Sequence, residues 1–275
     1  MPPLHALPLS LILLMGACAS AKKEVDSKMD PRDMFVEGTI EAVEDGAARS
    51  YSYRLLKPID VDEDQRPLLV FLHGMGERGS DNVKQLEYLP TWMCSPEWRE
   101  RFDTFVLAVQ CPGDEIWVGS WEGAGTCRAM SAVEGAIEHL IESENIDPSR
   151  VYLTGLSMGG FGSWDLASRH PDWFAAVVPI CGGGDPSFAS RIADSGVPIW
   201  TVHGDADRVV PVDLTRTMVG AIRKADGRVG YTELPGVRHD SWKFAYGPEG
   251  LMEWMLAQQL PATPVKTPPA DASGG

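Results

Sequence analysis

Basic residues are scarce in this sequence. Its 275 residues hold 24 lysines and arginines against 39 aspartates and glutamates, a formal net charge of −15. So acidic a surface repels nucleic acid and has no general attraction for phosphorylated polymers. No C-x-x-C pair occurs among the five cysteines, which argues against a zinc site. The glycine-rich stretch Gly74 to Gly79 lacks the Lys-Ser/Thr of a P-loop, and no G-x-G-x-x-G fingerprint fits, so nothing points to a bound nucleotide or other cofactor. Internal repeats and a second domain are also missing. What is present is globular: 44% hydrophobic and 23% charged residues, in a chain long enough for one large α/β domain.

The two ends read as lying outside that domain. Leu4 to Met15 is mostly apolar, without formal charge, and too short for a comfortable membrane span. It suits the apolar region of a signal peptide covering residues 1–17. Leu14-Met15-Gly16-Ala17-Cys18 resembles a bacterial lipobox, which would make Cys18 the lipidated first residue of an exported, membrane-anchored protein. Ser20, two places on, would favour the outer membrane or cell surface. Cleavage at Ala17-Cys18-Ala19 or Ala19-Ser20-Ala21 would instead give a soluble periplasmic or secreted protein. Residues 18–33 read as a tether, 34–260 as the folded domain and 261–275 as a disordered tail. Cys94, Cys111, Cys127 and Cys181, in an oxidising compartment, suggest one or two disulfides, with three possible full connectivities.

Within the domain, Phe35 to Val43 and Tyr51 to Leu56 read as an opening antiparallel hairpin. Leu68 to Leu72 is a continuous apolar run, as a strand buried on both faces requires. Asp81 to Trp98 reads as partly helical with interruptions at Pro90 and Pro96, and Cys111 to Gly125 as a long loop. Met130, Val133, Ile137, Leu140 and Ile141 repeat at helical spacing and predict a helix over Arg128 to Glu144. Further strands are expected at Thr104 to Val109, Phe174 to Cys181, Val197 to Val202 and Gly230 to Leu234. Val212 to Ala225 and a closing Glu249 to Leu260 read as helices. Strands alternating with helices imply a mostly parallel central sheet with helices on both faces.

The organising stretch is Arg150 to Gly160. An apolar strand runs into Gly155-x-Ser157-x-Gly159, a G-x-S-x-G nucleophile elbow, and then a helix. The turn would aim the Ser157 hydroxyl out of the sheet, with the helix N-terminus at the place where an oxyanion forms. The loop after Leu72, His73-Gly74-Met75, would supply one oxyanion N–H from Met75, and Met158 the other. A serine hydroxyl needs a base, and the base an orienting acid, in the chain order Ser, acid, His. Asp207, in a D-x-x-V-P frame after the strand ending at Val202, is the expected acid, with Asp205 as a turn residue. His239, on the loop after Leu234, is the expected base. His73 and His203 read as structural hydrogen bonders.

Together, Leu72 to Gly79, Gln110-Cys111-Pro112, Gly155 to Gly160, Ile180 to Asp185, His203-Gly204-x-x-Asp207-x-x-Val210-Pro211 and His239-Asp240-Ser241-Trp242 resemble the α/β-hydrolase esterases. The similar branch holds predicted peptidases, polyhydroxybutyrate depolymerase-like and feruloyl or acetylxylan esterase-like proteins. The likeness covers roughly residues 35 to 258. It implies an α/β-hydrolase fold and a serine carboxylic ester hydrolase working through an acyl-enzyme without metal or cofactor. Its substrate would be a small-molecule or polysaccharide-linked ester. Trp117, Trp121 and Trp242 lie on loops expected at the site mouth and suggest a flat sugar or aromatic group there. A serine peptidase of the same fold and a non-catalytic surface-binding lipoprotein are the competing readings.

Overall fold

The computed structural model describes residues 30–44, 46–59, 64–119, 127–247 and 250–261. Eight strands form one sheet: β1 Phe35–Glu44, β2 Ala47–Leu56, β3 Arg66–Leu72, β4 Phe105–Val109, β5 Ile146–Leu156, β6 Ala176–Ile180, β7 Ile199–Gly204 and β8 Val229–Leu234. Their spatial order is β1-β2-β4-β3-β5-β6-β7-β8. The pairs β1/β2 and β2/β4 are antiparallel, and every later pair is parallel. The expected front hairpin and parallel body are both there.

Side chains of β3 explain why this strand is central. Leu68, Val70 and Leu72 enter one core cluster, and Leu69 and Phe71 the other. Period-2 alternation with both faces apolar demands cover on both sides. The helices are α1 Leu89–Trp92, α2 Pro96–Arg101, α3 Arg128–Ser143, α4 Met158–Arg169, α5 Ala189–Ser195, α6 Val212–Lys224, α7 Trp242–Ala245 and α8 Leu251–Leu256. Residues of α3, α4, α5 and α6 fill the first cluster, and residues of α1, α2, α7 and α8 the second.

Several expectations needed correction. Pro90 and Pro96 stand in the first turns of α1 and α2, where a missing N–H costs nothing, so they start helices instead of interrupting one. The closing helix is shorter than Glu249 to Leu260. It begins after Gly250, at φ 87°, and the chain then straightens so that the Leu260 N–H bonds to the Ser149 carbonyl. Helix α5 has only seven residues, too few for a periodic signal. No disulfide joins Cys94, Cys111, Cys127 or Cys181; all four are free thiols. The Cys94 and Cys127 thiols donate to backbone carbonyls, of Pro31 or Pro90 and of Ile116 respectively. The signal, tether and tail readings fall on residues 1–29 and 262–275, outside the described residues apart from the flanking positions.

Between β5 and α4 the packing is close enough to dictate residue type. A Cβ on Gly159 would stand 1.9 Å from the Leu72 carbonyl oxygen, and one on Gly155 2.4 Å from the Gly159 oxygen. Both obstacles are backbone, so neither can give way cheaply. Gly159→Ala is therefore expected to lower stability by at least about 3 kcal/mol, or to prevent soluble expression. A urea midpoint close to that of the unsubstituted protein would contradict this packing.

Candidate active site

Ser157 sits between β5 and α4 at φ 54°, ψ −116°, a conformation that a non-glycine residue holds only under constraint. The constraint is visible: the Ser157 N–H donates to the Ile180 carbonyl on β6, and its carbonyl accepts from Phe161 in α4. The hydroxyl is thereby fixed above the C-terminal ends of the parallel strands.

Two other loops bring their side chains to it. Asp207 follows β7 and His239 follows β8. His239 Nε2 lies 2.9 Å from Ser157 Oγ, and His239 Nδ1 lies 2.7 Å from Asp207 Oδ2. A carboxylate only accepts, so Nδ1 carries the proton and Nε2 presents its lone pair to the serine hydroxyl. Asp207 Oδ1 takes the backbone N–H groups of Val209 at 2.8 Å and Val210 at 3.0 Å. The carboxylate is fully buried. Burial alone would raise it, but hydrogen bonds from His239, Val210 and Val209 outweigh that and hold it below the usual carboxylate range. Asp205 instead accepts from the Gly236 N–H across the β7 and β8 loops, the turn role expected of it.

Met75 opens a short 3-10 turn after β3, and Met158 is the first residue of α4. First-turn N–H groups have no partner within the helix. Met75 and Met158 line one cleft of about 330 Å³ with Ser157, Phe161, Val209, Val210, Pro211 and Leu214. The loop carrying Met75 is held from below by His73, which is 1% exposed. Its Nδ1 donates to the Gly74 carbonyl at 2.7 Å, and its Nε2 accepts the Cys111 N–H at 3.0 Å. Both nitrogens are used by a neutral ring, and burial drives the imidazole down to about 4.

Trp117 and Trp242 do not form the expected platform. Trp117 is fully buried, and its indole N–H donates to the His73 carbonyl at 2.9 Å. It is a core residue that supports the loop under Met75. Trp242, 8% exposed, stands edge-on to the His239 ring at 5.4 Å and packs on Tyr88 at 5.4 Å, so it props the histidine from behind. Trp121 lies outside the described residues, as does Cys18. Pattern reading missed the apolar wall of Phe161, Val209 and Leu214. Its trace in the sequence is the apolar run Val209-Val210-Pro211 just after the acid, and the structure leaves Val209 69% exposed.

Sheet order, elbow and the position of the three loops define an α/β-hydrolase fold. Residues 113–242 match the model of the dienelactone hydrolase family. A solved thermostable esterase is 37% identical, with a TM-score of 0.77 over 83% of this chain and 64% of that one. Among curated proteins, "Putative esterase NocK" of Nocardia uniformis subsp. tsuyamanensis is 28% identical over 63% of this chain and 49% of its own length. The bifunctional acetylxylan esterase/xylanase XynS20E of Neocallimastix patriciarum is 33% identical over 52% of this chain and 20% of its own. The chain thus spans half or less of these two curated relatives.

His73 sets a pH limit on the loop it holds. Unfolded, its ring takes up a proton near pH 6.5, and folded only near about 4. Its contribution to stability is therefore complete above about pH 6.5 and is lost as pH falls toward 4, by up to about 3 kcal/mol. Nitrogen-15 NMR of labelled histidine is expected to show His73 neutral, with its proton on Nδ1, at about pH 5.5. A charged ring at that pH would refute the burial argument.

Proposed function

We propose that this chain is a serine carboxylic ester hydrolase. The observation that carries the reading is the unbroken contact from Asp207 through His239 to Ser157, at 2.7 and 2.9 Å. His239 takes the Ser157 proton as the hydroxyl attacks the ester carbonyl, and Asp207 stabilises the imidazolium that forms. The N–H groups of Met75 and Met158 receive the oxyanion, and one such donor contributes about 3–4 kcal/mol to lowering the barrier. His239 then passes its proton to the departing alcohol. Water, activated by the same imidazole, releases the acid from Ser157. Every step uses groups of this chain.

The lining of the cleft narrows the substrate. Phe161, Val209, Val210, Pro211, Leu214 and Met75 are apolar, and the volume of about 330 Å³ admits a small group. This favours a short, apolar acyl group over a charged one. The rim residues Met75, Val209 and Leu214 are exposed, so the cleft opens to solvent and leaves room for an alcohol that is part of a polysaccharide. Similarity to a bifunctional acetylxylan esterase/xylanase supports that second feature. The leader Leu4 to Met15 and Cys18 support export with a lipid anchor on that cysteine. Radiolabelled fatty acid should enter the protein in a bacterial host and be lost from Cys18→Ala; equal labelling of both would dismiss the anchor.

Ser157→Ala should cut hydrolysis of p-nitrophenyl acetate by about 10⁴-fold or more while leaving the melting temperature unchanged. Turnover that survives the substitution would remove Ser157 from the mechanism. A panel of p-nitrophenyl esters, acetylated xylan and p-nitroanilides is expected to rank short-chain esters first. Preference for the anilides would favour a peptidase instead.

A further inference from the structure

Asp207 is bonded by two imidazoles, and only one of them reaches Ser157. His203, near the end of β7, is completely buried. Its Nε2 lies 3.1 Å from Asp207 Oδ2, the same oxygen that holds His239, and 3.0 Å from the Val210 carbonyl. Neither neighbour can donate, so this nitrogen must carry the proton and share it between them. On the opposite side Nδ1 stands 2.8 Å from Thr215 Oγ1, whose hydroxyl also lies 2.6 Å from the Gly182 carbonyl. That hydroxyl has one proton to give. Turned toward Nδ1, it leaves His203 neutral; turned toward Gly182, it requires a second proton on the ring. Burial opposes the charged ring and holds its proton affinity down. Whichever way that hydroxyl turns, Nε2 keeps its proton, because Asp207 Oδ2 and the Val210 carbonyl can only accept.

We propose that His203 is a positioning residue for ester hydrolysis: its Nε2–H donates to the Asp207 oxygen that orients His239, and so limits how tightly His239 holds its proton. With this bond the carboxylate has four donors, Val209 and Val210 on Oδ1 and the two histidines on Oδ2. Without it, more of the carboxylate charge would fall on His239. The imidazolium would be stabilised, and the ring would lose its proton only at higher pH. Other ionisable groups face the site. Asp240, paired with Lys243, acts on His239; the buried Cys181 thiol lies near Asp207; Glu233, paired with Arg216, acts on His203. Among the described side chains, those that hydrogen-bond Asp207 are His203 and His239.

The kinetic half of the test rests on the hydrolase reading. In His203→Leu the acid limb of the kcat/KM profile should move to higher pH by about half a unit or more. His203→Gln, whose amide can donate near the position of Nε2, should return it toward the starting position. A limb that stays put in folded His203→Leu would overturn the proposal. The second half uses the unsubstituted protein and needs neither activity nor a folded variant. Nitrogen-15 histidine spectra from about pH 9 to 5 should show His203 as a neutral ring protonated on Nε2, its resonance moving in step with the protonation of His239. A His203 ring protonated on Nδ1, or one that ignores His239, would also overturn the proposal. If Ser157→Ala keeps its activity, the hydrolase reading falls while the spectra still decide the His203–Asp207 bond. If Ser157→Ala is dead and the spectra disagree, the positioning role alone falls.

Discussion

Backbone meets backbone where α4 crosses β3, and the remaining features of the site depend on that crossing. Gly159 lies so near the Leu72 carbonyl that no side chain fits between them, and Gly155 is as tightly placed beneath Gly159. The turn between the two glycines cannot relax, and Ser157 is held at positive φ as a result. Strain of this kind costs about 1–3 kcal/mol and persists only where the surroundings over-determine it. Here the surroundings are the hydrogen bond to Ile180, the first turn of α4, and a sheet filled on both faces.

Around that fixed hydroxyl, burial and hydrogen bonding sort the ionisable groups by role. His73 and His203 are shut away from water and kept neutral, each with both ring nitrogens occupied. Asp207 is equally buried yet kept charged, because N–H donors surround it. His239 keeps one side open to the cleft. Three histidines of similar intrinsic chemistry are thus set to support a loop, brace a carboxylate and face a hydroxyl. Placement makes the difference: a neutral ring deep in the core can only hold, whereas a ring at the cleft can exchange protons with what enters.

Much of the fold could be read from periodicity. The apolar run at β3, the helical spacing across α3 and the glycines of the elbow each state a local requirement that one conformation satisfies. Short elements escaped: α5 and α7 have too few residues to show a period, and Pro90 and Pro96 look like breaks until their first-turn positions are seen. Trp117 and Trp242 misled for a different reason. An indole on a long loop carries the same letters whether it faces solvent or the core, and Trp117 is drawn inward by packing and by the His73 carbonyl. Cysteine count likewise suggested bridges, whereas the thiol protons of Cys94 and Cys127 go to backbone carbonyls.

Chain order and residue type settled which serine, carboxylate and imidazole are the candidates, because a strained elbow and loops at strand ends are local features written in a few adjacent positions. They also settled the α/β class, since alternating periods leave few ways to bury both faces of a sheet. Distances between loops separated by dozens of residues were decided by packing alone. So was the fate of each side chain that the same letters allow to turn either inward or outward. The apolar wall beside Ser157, the bracing of His239 by Trp242 and the second imidazole on Asp207 exist only once β5, β6, β7 and β8 stand side by side, because each joins groups that no local spacing connects.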